Sequence, residues 1–196
     1  MTFRHTAIAL LILSAPLANA VSAQSVGTEV QRDVNQENRI ERGLQSGQLS
    51  TGEAAKLERG EARIDRMESN ALKNGNLSPQ EAARIQQAQN QESGRINKLE
   101  NNAVSGNPNS ASSQRMQSDV QRNINQQNRI EQGVQSGALT KGETSTLERG
   151  QARIDREEAR AGANGHMSAR EQGRIQHAEN HQSKQIYREK HNNRTR

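Results

Sequence analysis

The sequence predicts an all-α protein made of two tandem three-helix repeat units, small bundles or helical hairpins, joined by a flexible linker. Three observations carry this. One block of sequence occurs twice: residues 29–102 align with 119–192 at an offset of 90, with 39 identities in 74 positions and no gap. Apolar residues recur at helical spacing, without the period-two alternation of strands. The breaks between helical segments repeat one formula of helix stop and helix start.

In the first helix of each copy, Val26, Val30, Val34, Ile40 and Leu44, or Met116, Val120, Ile124, Ile130 and Val134, form a single stripe. The second carries Leu57, Ile64 and Ala71, or Leu147, Ile154 and Ala161. The third carries Ile85 and Ile96, or Ile175 and Ile186. At the breaks, Gly47, Gly75, Gly137 and Gly165 can take the left-handed turn that closes a helix. Ser50, Ser78, Thr140 and Ser168 then read as N-caps, with Glu53, Glu81, Glu143 and Glu171 three residues on to complete capping boxes. Pro79 suits a first helical position, and Leu49, Leu77, Leu139 and Met167 can staple each corner. Gly60 and Gly150 lie mid-helix, where Gly costs about 1 kcal/mol; they read as places of close helix–helix approach. The boundaries are 1–23 for a signal peptide, 24–100 for unit one, 101–113 for the linker and 114–196 for unit two.

Composition limits what such a chain can be. Leu, Ile, Val and Phe number 23 in residues 24–196, about 13%, below the roughly 20% typical of folded chains. There is no Trp, Phe3 lies in the signal, and Tyr187 is the sole aromatic after it. This excludes a sizeable apolar core, a β-sandwich, a transmembrane bundle and most enzyme scaffolds, and predicts marginal stability. Residues 1–23 combine a short n-region containing Arg4, the apolar run Ala7 to Leu13, and small-x-small sites ending at Ala20 and Ala23. They predict export to the periplasm or secretion. The chain has no cysteine, hence no disulfide and no lipid anchor through one.

Enzymatic motifs are missing: no Cys nucleophile, no G-x-S-x-G, no phosphate loop. The carboxylates read as lying on polar helix faces beside Arg or Lys, where nothing raises a pKa. No catalytic residue and no resident cofactor are expected, a divalent metal aside. The N-G-x-[LM]-S-x-x-E loops resemble the second half of an EF-hand, with Gly75 or Gly165 as its glycine and Glu81 or Glu171 as its last ligand. The first half fails, since Asn70 or Arg160 stands where the first ligand belongs, and capping explains the same residues.

Two surface features could bind something. His177 and His181 are four apart and could chelate Cu, Zn or Ni, with His166 and His191 nearby in sequence. Opposite the stripe of Ile175, Ala178, Gln182 and Ile186, these histidines share a face with Arg170, Arg174, Lys184 and Arg188. Arg149, Arg153, Arg156 and Arg160 fall within about 60° of arc on the preceding helix. Residues 114–196 carry net charge +5 and residues 24–113 carry −1, so the second copy is the basic one. This favours an anionic envelope component or an acidic protein as partner. Nucleic acid is disfavoured by export and by the lack of stacking aromatics. A second copy of the chain is another candidate partner.

The pattern R-I-x-x-G-x-x-S-G-x-L-[ST]-x-x-E, followed by N-G-x-[LM]-S-x-x-E-x-x-R-I and the ending from Ser183 (S-x-x-I-Y-R-x-K-H-N), resembles a family of uncharacterised exported helical-repeat proteins of proteobacteria. The resemblance covers most of the chain after the signal. It implies a helical, periplasmic, non-enzymatic protein in a stress or metal-related setting. Copy one departs from the ending, lacking the Tyr and the Lys-His. The leading expectation is a non-enzymatic periplasmic or secreted binding protein that engages an anionic partner through the basic face of repeat two. The alternatives are a metal-stress protein using His177 and His181, and a structural envelope-stress protein without a small ligand.

Overall fold

The computed structural model describes residues 26–192 and 194. The expected signal segment 1–23 lies outside the described residues. Six helices follow in chain order: α1 Val26–Ser46, α2 Thr51–Leu72, α3 Pro79–Glu100, α4 Ala111–Gln135, α5 Lys141–Ala161 and α6 Ala169–Lys190. The described residues contain no strand.

The repeated corner formula builds what its residues predict. Gly47, Gly75, Gly137 and Gly165 have φ of 78°, 76°, 74° and 81°, a region that costs other residues a steric clash. All four capping boxes form. In the first, the Glu53 amide donates to Ser50 Oγ at 3.3 Å and the Ser50 amide donates back to Glu53 Oε2 at 3.0 Å. Ser78–Glu81, Thr140–Glu143 and Ser168–Glu171 repeat it. Glu81 and Glu171, placed by the EF-hand likeness as terminal calcium ligands, are thus engaged by their own helix starts. The Ser78 and Ser168 hydroxyls and amides hold those two carboxyls below the usual carboxylate range.

The two copies interlock. α2 packs antiparallel along α5: Ser145 Oγ donates to the Ser69 carbonyl at 2.6 Å near one end, and Gly162 backs onto Ala55 and Thr51 near the other. α1 packs antiparallel on α4, tied by Gln31 to Glu131 and by Gln121 to Glu41 in the amide orientations that satisfy both atoms. α3 flanks α1 and α2 while α6 flanks α4 and α5, with matching clasps from Arg39 to Ser93 and from Arg129 to Ser183. Antiparallel pairing of equivalent helices relates the copies by an approximate two-fold axis. The segment between them is docked: the Gly106 amide donates to the Gly47 carbonyl at 2.8 Å, and Asn102 Nδ2 donates to Glu53 Oε1 at 2.7 Å. Ser110 caps α4, which therefore starts three residues before the expected boundary at 114.

Apolar residues gather in two clusters, each drawn from both copies. One holds Ile40, Leu44, Leu57 and Ile96 with Met116, Val120 and Ile154; the other holds Val26, Val30 and Leu72 with Ile130, Val134 and Leu147. Because the helix pairs are antiparallel, these clusters occupy opposite ends of the α1–α2–α4–α5 interior. The middle of the bundle is left to other residues.

Gly60 and Gly150 are windows into that middle. A Cβ at Gly60 would collide with the Glu92 carboxylate, and one at Gly150 with the Gln182 carboxamide. Both visiting side chains are buried, and Gln182 Nε2 donates to the Leu147 carbonyl at 2.8 Å. Gly94 and Gly173, also mid-helix, face open space: a Cβ at either would meet nothing within 4 Å. Gly60→Ala and Gly150→Ala should therefore each destabilise by about 1–3 kcal/mol through overpacking. Gly94→Ala and Gly173→Ala should stabilise by up to about 1 kcal/mol through helix propensity. Urea midpoints of the four variants check the contrast; equal shifts in all four would refute the window.

Candidate metal centre

The middle of the bundle is filled by carboxylates. α2 carries Glu58, Glu61, Asp65 and Glu68, a 3-4-3 spacing that places all four along one side of a helix. α5 repeats it with Glu148, Gln151, Asp155 and Glu158; α1 contributes Glu29, Asp33 and Glu37, and α4 contributes Asp119, Asn123 and Gln127. α3 and α6 reach in with Gln89 and Glu92, and with Glu179 and Gln182. Of the chain's 22 acidic residues, seventeen are buried, whereas no Lys, Arg or His among the described residues is. The expectation that carboxylates lie on solvated faces beside Arg or Lys is therefore corrected. The 3-4-3 acids use the same helical period as the apolar stripe, and the antiparallel α2–α5 pairing turns them inward.

The layer has two equivalent halves. In the first, Gln89 Nε2 donates to Asp33 Oδ1 at 2.9 Å and to Glu68 Oε1 at 3.2 Å. Gln127 Nε2 reaches Glu148 Oε2 at 3.3 Å and Asp65 Oδ1 at 3.5 Å. In the second, Asn123 Nδ2 donates to Glu158 Oε2 at 2.9 Å and to Asp155 Oδ1 at 3.3 Å. Arg122, partly exposed, lies with Nε 2.9 Å from Glu179 Oε2. Oxygens of Asp33, Asp65 and Glu68 all fall within 4.8 Å of one another, and so do those of Glu37, Glu58 and Asp155.

The donors present do not satisfy these groups. Glu58 is 0% exposed and neither of its carboxylate oxygens has a hydrogen-bond partner. Glu61 and Glu29 are in the same condition. Burial is the largest influence on each acid and disfavours its charge. It pushes Asp33, Glu29 and Asp119 up to about 7, and Asp155 and Glu179 to about 8. For Glu58, burial and then its neighbours Glu37, Glu158 and Asp155 drive the carboxyl well above the usual range. Burial, reinforced by nearby acids, does the same for Glu61, Asp65 and Glu68.

The residues singled out from the sequence lie elsewhere. Arg149, Arg153 and Arg156 do converge, joining Arg66 and Lys73 around a groove of about 290 Å³ between α2 and α5. Arg160 pairs with Glu157 at 3.1 Å. Arg170 and Arg174 are exposed on α6, as are His177 and His181, while Lys184, Arg188 and His181 line a shallow pocket with Arg129 and Tyr187. His166 is exposed in the loop before α6, and His191 stacks on Tyr187 with ring centroids 4.2 Å apart. Among the described residues, every converging group of three or more metal-ligating side chains consists of carboxylates, without histidine. The acids of α2 were visible in the sequence only as a spacing, duplicated with Gln in place of Glu61 on α5. Comparison with protein-family models, curated proteins and solved structures gives no match.

With no cation present, the raised carboxyls set a pH dependence of stability. A carboxyl with a higher pKa folded than unfolded contributes stability that is complete below the unfolded value, near 4. That stability is lost as pH rises through the folded values, from about 7 to about 8 for the five acids above. In EDTA, the urea midpoint should fall between pH 5.5 and pH 8.5. A midpoint constant or rising over that window would contradict the buried acid layer.

Proposed function

We propose that this protein is an exported, non-enzymatic helical bundle that binds hard, oxygen-preferring metal cations in its interior. The observation that carries this is a buried carboxylate layer with unpartnered oxygens and, among the described residues, no buried base. Burying unpaired charge costs several kcal/mol per ion, and the alternatives are protonation or a counter-charge. A cation supplies that counter-charge inside the layer. Ligands that are all carboxylate and amide oxygens match Ca²⁺, Mg²⁺ or Mn²⁺ rather than the softer Cu⁺. Metal binding and folding are then coupled, since the unfolded chain offers no such cage.

The test is a thermal melt of the chelator-treated chain at pH 7.5, repeated with Ca²⁺, Mn²⁺ and Tb³⁺. A cation at 100-fold excess over its Kd adds about 2.7 kcal/mol, or about 5–10 °C in Tm for a chain of this size. Replacing both His177 and His181 with Ala should leave the gain unchanged, whereas Glu58→Gln should reduce it. No gain with any of the three cations would sink the proposal.

The groove between α2 and α5 supports a second reading, in which the same protein engages an anionic envelope component. Arg66, Lys73, Arg149, Arg153 and Arg156 line it without any acid, so its potential attracts phosphate or sulfate. The Arg149→Gln/Arg153→Gln double variant should elute from immobilised heparin at lower salt than the parent chain. Co-elution would remove the groove from consideration.

A further inference from the structure

The layer's internal symmetry bears on how many cations it takes. We infer that it holds two, one in each of two equivalent cages that meet at Asp65 and Asp155 across the approximate two-fold axis. This rests on the reading of the layer as a cation site.

The first cage is formed by Asp33, Asp65, Glu68, Gln89, Gln127 and Glu148. Its members come from five helices, and each has one buried oxygen without a hydrogen-bond partner: Asp33 Oδ2, Asp65 Oδ2, Glu68 Oε2, Gln89 Oε1, Gln127 Oε1 and Glu148 Oε1. Oxygens of Asp33, Asp65 and Glu68 lie within 4.8 Å of one another. Gln89 and Gln127 turn Nε2 toward the carboxylates, so a cation would take their Oε1 atoms after the amides rotate, which brings the donors to the six that an octahedral cation needs. Adding 90 to each number, or subtracting it, gives the second cage: Asn123, Asp155, Glu158, Glu179, Glu37 and Glu58. There Glu37 Oε2, Asn123 Oδ1, Glu158 Oε1 and both oxygens of Glu58 are buried without a partner. The amide and carboxylate identities are partly exchanged between the copies, yet each cage retains an excess of carboxylates.

One ion cannot serve both sets. Twelve side chains exceed the coordination of any single cation, and the close triads Asp33–Asp65–Glu68 and Glu37–Glu58–Asp155 share no residue. The two sets adjoin at Asp65 and Asp155, equivalent positions of the two copies; after burial, the charge of Asp155 is the largest influence on the Asp65 carboxyl. Two like-charged acids facing each other at the junction are a natural bridge between neighbouring cations, as in two-metal sites. The cages carry comparable charge: four carboxylates in the first, and five in the second with the Arg122 guanidinium against Glu179. Ions of one valence therefore suit both.

The experiment uses the chelator-treated chain from residue 24 and Mn²⁺ alone, with bound metal counted by equilibrium dialysis and its environment read by electron paramagnetic resonance. Two Mn²⁺ per chain with the broadened spectrum of a coupled pair is the expected result. Glu148→Gln in the first cage and Glu58→Gln in the second should each reduce the count to one and restore the six-line spectrum of an isolated ion. Asp33→Asn and Glu37→Gln install the residue that the other copy already carries, so they test the same cages with side chains the fold accepts. Their expected effect is at least a tenfold loss of affinity at one site only. A wild-type count of one, abolished by either cage's variants, would overturn the paired cages and leave interior binding standing. Two ions with an uncoupled spectrum would also overturn the pairing. No Mn²⁺ retained, together with no thermal gain from Ca²⁺ or Tb³⁺, would overturn the cation reading itself.

Discussion

The desolvation of the carboxylate layer is the interaction on which the rest of the structure depends. A helical bundle normally fills its interior with Leu, Ile and Val. Here those residues close only the two ends, and the middle of the four-helix interior is lined by Glu58, Asp65, Glu148 and Asp155 with their neighbours. Ordinary bundles gain free energy from the groups they bury. This one spends it there unless protons or cations neutralise the layer, so solution conditions enter its folding equilibrium directly.

Charge is segregated radially. Seventeen acids are buried, while every described Lys and Arg is at least partly exposed. A modest net charge of +5 thus combines an acidic interior with a basic shell. The basic face of repeat two belongs to this larger arrangement. With those acids turned inward, Arg66, Lys73, Arg149, Arg153 and Arg156 line the groove between α2 and α5 with no acid among them. The interior layer and the outer groove have one cause: α2 and α5 turn their acids inward and their arginines outward.

Duplication explains how the layer can be assembled. One copy presents half of the buried acids and amides on α1, α2 and α3, but its first cluster is completed by Gln127 and Glu148 from the other copy. The second cluster likewise draws Glu37 and Glu58 from the first copy, close to Asp155. The antiparallel α1–α4 and α2–α5 pairs bring these together, and the capping boxes fix where each helix starts and hence which side chains share a level. Gly60 and Gly150 complete the arrangement by letting Glu92 and Gln182 enter from the flanking helices.

Local features could be read from the sequence because they depend on neighbours in the chain. The six helices, the four left-handed glycines, the four capping boxes and the apolar stripes all follow from spacing and from the chemistry of the N-cap. The place of the acids could not be read that way. A row such as Glu58, Glu61, Asp65 and Glu68 is equally suited to solvent or to an interior, because helical period says which residues share a face and not what the face meets. Only the pairing of one copy with the other decides that, and it buries carboxylates against carboxylates. The sequence by itself determined the helices, their ends and their duplication; the tertiary structure decided which polar face would be desolvated, and so where a cation could bind.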